Sequence, residues 1–382
     1  MLHLAFSIFV LLLAALPTLL IIRNFPLFQF PSKESEAVVE RPGVSLLIPA
    51  RNEAAGIEAT LTSVLASHYQ SLEVIVLDDH SEDETAAIVN RLAVKDDRLR
   101  LEQSKKLPEG WNGKQHACWQ LAEHAKHDLL LFLDADVHVQ PVCVHQLAQL
   151  IQQRDLDLLS GFPKQILGTL SERMLIPMMY YVLLGYLPLD QMRANNDPKF
   201  GAGCGQLFLA RRKAYFDAGG HKAIHGSRHD GLKLPRSFRA AGFSSDLVDA
   251  SHLAEVRMYE GWPQVRNGLL KNATEGFANW KLIPVFTVLL IGGSVLPLLG
   301  LAHALFWGWP AEGTLGITAT FVLATATAVN WVGAFCIQGR MKHPLVSAVL
   351  HPVAVAAFML LQWTALMREQ LGMQPIAWRG RA

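Results

Sequence analysis

Apolar positions along the chain change their pattern from region to region. Residues 2–22 are almost uninterrupted apolar sequence, close to the ~20 residues a helix needs to cross a bilayer. From about residue 43 to 248, short apolar runs alternate with helical periodicity. Residues 44–48, 73–77, 99–101 and 129–133 read as strands, and 54–67, 82–92 and 114–126 as helices between most of them. This alternation predicts an α/β domain with parallel strands joined by crossover helices. Three further apolar segments, 283–306, 315–336 and 344–367, are candidate spans.

Charge orients these segments. No Lys or Arg precedes the first span, whereas Arg23, Lys33 and Arg41 follow it, which predicts a cytoplasmic middle region. No basic start or small-residue cleavage site marks a signal peptide, so an uncleaved anchor is expected. Arg340 and Lys342 also suit the cytoplasmic side. Arg368, Arg379 and Arg381 in the basic tail 368–382 fall on the other side if all three late segments cross, which leaves one of the three as re-entrant or interfacial. A further apolar insert, 170–190, interrupts the α/β region, with Pro177 and Pro188 inside it and Glu172, Arg173 and Asp190 at its ends. An interfacial segment would keep the domain in one compartment and suit the aromatics; a buried helix is the alternative.

Composition agrees with a soluble part beside membrane segments: 51% of the 382 residues are hydrophobic and 18% charged. The length leaves room for about two to three domain-sized units. A net charge of +1 gives no argument for a nucleic-acid partner. Cys118, Cys143, Cys204 and Cys336 are scattered, which fits a reduced domain better than a disulfide framework.

The candidate chemistry follows the strands. Residues 129–133 run into Asp134-Ala-Asp136. Side chains two apart on a strand share a face, so both carboxylates can converge at the sheet edge where ligands bind. Oxygen ligands suit a hard cation such as Mg²⁺ or Mn²⁺, which completes its shell with substrate phosphates. Taken alone, an Asp-x-Asp is an ordinary turn, so its neighbours decide. Ser81-Glu-Asp-Glu84 fits a capping box, placing Asp78 and Asp79 between a strand end and a helix start.

Those neighbours come in order: Pro49-Ala-Arg-Asn-Glu53, Asp78-Asp-His-Ser-Glu-Asp83, Asp134-Ala-Asp136, Gly201-Ala-Gly-Cys-Gly-Gln206, Arg211-Arg212, Gly219-Gly220, then His229-Asp230 opening a helix with Arg236 and Arg239. This order resembles the family 2 glycosyltransferases with a GT-A fold, over roughly residues 43–270. The resemblance implies a Rossmann-like mixed sheet flanked by helices. It implies that Pro49, Ala50, Arg51, Asn52, Glu53 and Asp79 hold the nucleoside of a nucleotide-sugar, with a UDP-sugar favoured. Asp134 would lie near the ribose and donor sugar, and Asp136 would bind the divalent cation on the diphosphate. Asp230 matches the family's catalytic base, which deprotonates the acceptor for in-line, inverting attack. Lys114, in Trp111-Asn-Gly-Lys114, resembles the family's Gly-Lys element and would reach the donor diphosphate; a surface lysine at a helix start is the alternative. It is not a phosphate-cradling loop, since the first glycine is missing and Gln115 stands where Ser or Thr is needed.

Other signals divide between function and structure. Gly201, Gly203 and Gly205 read as a close backbone approach to the sugar or as a flexible turn. His221, His225 and His229 recur every four residues, but Gly226 breaks the helix a metal site would need, and His229 is expected beside Asp230. The Gln-x-x-Arg-Trp motif of processive members is absent from Glu260-Gly-Trp-Pro-Gln-Val-Arg-Asn267, which leaves Trp262, Arg266 and Lys271 as a diphosphate contact or a juxtamembrane basic face.

The expected protein is a multi-pass enzyme of the plasma or inner membrane, with an anchor at 1–23, a cytoplasmic GT-A domain at 43–270 and further spans within 283–367. It would move one sugar from a nucleoside-diphosphate donor to a lipid-like acceptor. The arrangement of spans resembles the subfamily associated with carotenoid and hopanoid biosynthesis, with a polyprenyl-type acceptor as the alternative. A processive polysaccharide synthase and a catalytically silent GT-A membrane scaffold are the rivals.

Overall fold

The computed structural model describes residues 1–30, 41–308 and 313–373; Lys33, Arg379 and Arg381 lie outside them. The chain divides into two compact units. One comprises Phe28–Ile166 and Asp190–Met258, and the other Met1–Leu27, Leu167–Leu189 and the described residues from Tyr259 onward.

The first unit is a mixed α/β domain. Its strands are β1 (Val44–Ala50), β2 (Leu72–Asp78), β3 (Leu99–Gln103), β4 (Leu129–Leu133), β5 (Val137–Val139), β6 (Leu158–Phe162), β7 (Lys164–Gln165), β8 (Leu207–Arg211), β9 (Ser245–Asp249) and β10 (Ala254–Val256). Among the described residues, seven of them form a sheet in the order β3-β2-β1-β4-β8-β6-β9. The first four are parallel, as the alternating pattern predicts. β8 runs antiparallel to both β4 and β6, which makes the sheet mixed.

β1, β2 and β4 are buried along their whole length, because helices cover both faces. Leu46, Ile48, Val74, Val76, Leu131 and Leu133 belong to one core, and Leu47, Ile75, Leu77, Leu130 and Phe132 to the other. The register Ala50↔Asp78 and Leu47↔Phe132 aligns the C-terminal ends of β1, β2 and β4, so the acidic segments that follow them lie side by side. A second sheet, β5-β10-β7, begins immediately after Asp136.

The capping box expected at 81–84 does not form. The helix begins at Thr85, and its N-cap Glu84 makes no side-chain cap. Ser81 Oγ instead accepts from Asn52 N at 2.9 Å, and Asp83 Oδ2 accepts from Ala54 N at 3.0 Å. The polar side chains tie the loop after β2 to the loop after β1, and that tertiary use displaces the local one.

The second unit is helical and apolar. Among the described residues, three helices are long and apolar enough to cross a membrane: Leu2–Phe28, Ile283–Trp307 and Thr314–Met341. The second contains a π-helical stretch, Ile291–Val295, whose Gly292 and Gly293 lie against Leu13. The last apolar segment instead forms a short helix, Val346–Val349, and then His351–Gln370, which is not among these three.

The apolar insert breaks into Leu170–Leu175 and Pro177–Tyr186, with Pro177 opening the second helix, where its missing N–H costs nothing. Neither piece is long enough to span a bilayer. Asn24 holds the insert to the first helix: its Nδ2 donates to Leu184 O at 2.8 Å and Leu187 O at 2.7 Å, and its Oδ1 accepts from Leu189 N at 3.0 Å. Tyr180 and Tyr181 are fully buried, and Tyr181 Oη donates to Asn330 Oδ1 at 3.3 Å.

Candidate active site

The first part of the site is built by the loops after β1 and β2. Asn52 sits at φ 53°, in the left-handed region that Asn tolerates better than most residues. Its N donates to Ser81 Oγ, its Oδ1 accepts from Glu82 N at 2.8 Å, and Glu53 N donates to Thr85 Oγ1 at 2.8 Å. Arg51 is buried and its guanidinium donates to the Asp79 and His80 carbonyls. Asp79 is buried, with its N donating to Ala50 O at 2.8 Å. Pro49 and Ala50 are the last residues of β1 and are buried, Ala50 within the core.

Asp134 and Asp136 lie just past the end of β4, in a turn rather than on the strand. Val137 N donates to Asp134 O at 3.2 Å, and Thr60 Oγ1 donates to Ala135 O at 2.8 Å, which together fix the turn. The two carboxylates therefore do not converge by strand alternation, and they have different surroundings. Asp136 Oδ1 is buried without a hydrogen-bond partner. Burial first, and then the charges of Asp134 and Glu53, push the Asp136 carboxyl up to about 7. Positive charge is what this position lacks.

Asp134 has its cation. Lys114 Nζ lies 2.6 Å from Asp134 Oδ1, 2.9 Å from Asp230 Oδ2 and 3.2 Å from Gly205 O. Lys114 stands in the first turn of the helix Gly113–His124, whose N-cap Asn112 accepts from Lys114 N at 3.1 Å. Burial alone would lower the Lys114 pKa; Asp134 and Asp230 hold it well above its usual range. Asp230 opens the helix Asp230–Ala240, and its Oδ1 accepts from Gly231 N at 2.7 Å. Burial would raise its carboxyl, but the Lys114 ammonium outweighs this and holds it at about 2.

The glycine segment makes this approach possible. A Cβ on Gly205 would lie 2.0 Å from Asp230 Oδ1, and one on Gly231 would lie 2.7 Å from Gly203 O. The antiparallel pairing of β8 with β4 places this segment beside the Asp-x-Asp turn, where Asp134 N donates to Gln206 O at 3.1 Å.

Glu53, Lys114, Asp134, Asp136 and Asp230 thus form one electrostatic cluster, next to the Arg51–Asn52 and Asp79 loops. The Gly205 carbonyl as a lysine acceptor was not anticipated; only its neighbouring glycines marked a tight approach. The histidine spacing does not make a metal site. His225 and His229 fall outside the short helix Gly220–Ala223, and His221 is buried with Nδ1 2.8 Å from Tyr215 Oη. Burial pushes His221 down to about 3, which keeps it neutral. Among the described residues no three His, Cys, Asp or Glu side chains are grouped to hold a metal by themselves. Trp262, Arg266 and Lys271 stand on the helix Gly261–Ala273, in the apolar unit.

A divalent cation suits Asp136. The residue offers a buried, unpartnered carboxylate oxygen with two further carboxylates nearby, and a hard cation bound by one protein carboxylate takes its remaining ligands from substrate phosphates and water.

A mixed sheet with acidic loops aligned on one edge is the architecture of a GT-A transferase. Residues 45–217 match Glycosyl transferase family 2. The chain is 27% identical over 313 residues to the 4,4'-diaponeurosporenoate glycosyltransferase of Staphylococcus aureus (strain MRSA252), covering 79% of this chain and 80% of that one. The same enzyme from strain USA300 is 28% identical over 269 residues, 69% of each chain. Among solved structures, a mannosyltransferase from Pyrobaculum calidifontis in complex with GDP-Man and Mn²⁺ superimposes with a TM-score of 0.54 at 19% identity. That match covers 94% of this chain and 99% of the other, and it establishes the likeness of fold.

Proposed function

We propose that this glycosyltransferase moves a single sugar from a nucleoside-diphosphate donor to an apolar, lipid-like acceptor at a membrane, with a carotenoid-type carboxylic acid as the acceptor. The observation that carries the reading is the orphaned Asp136 oxygen at the sheet edge, beside a preformed Lys114–Asp134–Asp230 cluster. Support for the acceptor comes from the relatives, whose name contains a carotenoid carboxylate, and from the apolar unit of the chain.

In this reading the loops carrying Arg51, Asn52, Glu53 and Asp79 receive the nucleoside, with Pro49 and Ala50 shaping the strand end beneath them. UDP is the favoured nucleotide. Asp134 lies toward the ribose and donor sugar, and Asp136 holds Mg²⁺ or Mn²⁺ against the diphosphate. When bound, the cation supplies Lewis-acid neutralisation of charge on the departing diphosphate. Lys114 keeps the carboxylate of Asp134 in place, and Asp230 flanks the position of in-line attack.

In this reading the α/β unit is cytoplasmic, supported by three candidate spans and by the charges at Arg23, Arg340 and Lys342. With His351–Gln370 as the segment that does not cross, Arg368 would fall on the same side as Arg340 and Lys342. The test is a screen of the purified protein in membranes with labelled nucleotide-sugars and Mn²⁺, followed by lipid extraction. Label in a chloroform-soluble product is expected. Long water-soluble polymer would instead show a processive synthase, and label in neither fraction would show a silent scaffold.

A further inference from the structure

The connector between the span Thr314–Met341 and the helix His351–Gln370 leads into three buried polar side chains of the apolar unit. These are His343, Ser347 and His351, exposed by only 8%, 2% and 3%. Each has an atom shut away from solvent with no hydrogen-bond partner: His343 Nε2, Ser347 Oγ and His351 Nε2. The polar groups beside them are paired. Tyr181 Oη donates to Asn330 Oδ1 at 3.3 Å, and Ser294 Oγ donates to the same oxygen at 2.9 Å.

The apolar insert holds these groups in place. Tyr180 and Tyr181, consecutive on the helix Pro177–Tyr186, pack against the His343 ring at 5.7 Å between centroids and against the His351 ring at 4.3 Å. Both imidazoles therefore lie along one helix of the insert. The short helix Val346–Val349, which carries Ser347, packs against the insert's other helix, Leu170–Leu175.

His343 fixes the chemistry of the missing partner. Its Nδ1 lies 3.0 Å from Gln338 Oε1, an acceptor, so Nδ1 carries the hydrogen and Nε2 keeps a lone pair. That lone pair needs a donor, whereas the Ser347 hydroxyl both donates and accepts. A partner that gives and takes hydrogen bonds at several points, and brings no charge into apolar surroundings, is a group of hydroxyls. Polar and ionisable side chains buried among membrane helices are costly and mark the paths of ligands. By the charges at Arg340 and Lys342, the connector lies at the cytoplasmic end of the unit, the face at which a sugar would be added.

We propose that the connector and the insert form a second ligand site, which takes the uncharged, hydroxyl-rich head group of a glycolipid at His343, Ser347 and His351. The identity of the ligand rests on the glycosyl-transfer reading above, but its binding needs no turnover. Two sources share this head group: the enzyme's own glycosylated product and a glycolipid of the bilayer.

The test uses the full chain in phosphatidylcholine nanodiscs and a dodecyl glucoside with a diazirine beside the sugar, crosslinks being mapped by mass spectrometry. Crosslinks should fall on residues 342–351 or on Tyr180 and Tyr181. Ser347→Ala and His351→Phe should each cut the yield about tenfold. Dodecyl phosphate and dodecanoate probes of the same design should leave the segment unlabelled. Labelling elsewhere, equal labelling by a charged probe, or an unchanged yield in both variants would overturn the site. The atoms removed by these two substitutions have no hydrogen-bond partner to lose, so the unfolding midpoint should not drop. A drop in both variants would make the side chains structural and overturn the site. Stoichiometric Zn²⁺ in the purified protein would overturn it as well, by showing that the imidazole lone pairs hold a metal.

Competition then separates the sources. Stronger competition by retinyl glucoside than by monoglucosyl-diacylglycerol supports a site for the product, the reverse order supports a site for bilayer lipid, and competition by neither overturns both. If the glucoside binds here while the screen above finds no sugar transfer, the glycosyl-transfer reading is what fails.

Discussion

Lys114 and Asp136 stand in the same group of acidic side chains, and the protein treats them in opposite ways. The Lys114 ammonium has an acceptor for each of its protons and pairs with both Asp134 and Asp230. Asp136 has a buried oxygen with no donor and a carboxyl pushed upward by burial and by its acidic neighbours. A saturated ion-pair cluster is preorganised, whereas an unsaturated carboxylate beside it is destabilising until a cation arrives, and this contrast supports assigning the proposed cation to Asp136.

Several substitutions can break this contrast. Lys114→Met should have the largest effect, about 3–5 kcal/mol of stability, because it strands the buried Asp230 carboxylate and the half-buried Asp134; unfolding in detergent measures it, and an unchanged midpoint would show the cluster to be dispensable. Asp136→Ala should reduce transfer by roughly 10³-fold, about 4 kcal/mol, and abolish the thermal stabilisation that Mn²⁺ gives the wild type. Without metal its melting temperature should not drop, since an uncompensated carboxylate has been removed.

Asp230→Asn should cost on the order of 2 kcal/mol at neutral pH, from a carboxyl held at about 2 against its ordinary 3.8. Because the folded value is depressed, that stability is present above about pH 4 and is lost as pH falls toward 2. The gap between wild type and variant should therefore close in acid, and a gap that persists there would point to packing instead. The smallest effect is expected from Asn52→Ala, which removes one loop-to-loop hydrogen bond worth about 1 kcal/mol and should raise the donor KM a few-fold without altering metal binding.

Much of this was legible in the sequence where the signal is local. The apolar runs of β1, β2 and β4 and the acidic residues after them mark both the parallel core and its ligand edge. What was not legible depends on partners far apart in the chain. Ser81 looked like a helix cap because its neighbours fit one, yet it accepts from Asn52. Asp134 and Asp136 read as sharing one face of a strand, yet they lie in a turn that gives one a lysine and leaves a buried oxygen of the other without a donor. Lys114 read as a donor contact or a surface lysine, and its three close acceptors, Asp134, Asp230 and the Gly205 carbonyl, come from distant parts of the chain. The insert at 170–190 looked foreign to a soluble domain because its partners, Asn24 and Asn330, lie at the two ends of the chain.

The sequence by itself determined the resemblance to family 2 glycosyltransferases, the strand-end motifs and the membrane-compatible segments, because each rests on residue types at short spacing, where period and propensity act directly. Tertiary structure decided the antiparallel insertion of β8, the different surroundings of the two aspartates and the pairing of Lys114 with Asp134 and Asp230. These depend on which distant side chains meet and on how many hydrogen bonds each can make. Spacing along a chain carries neither kind of information.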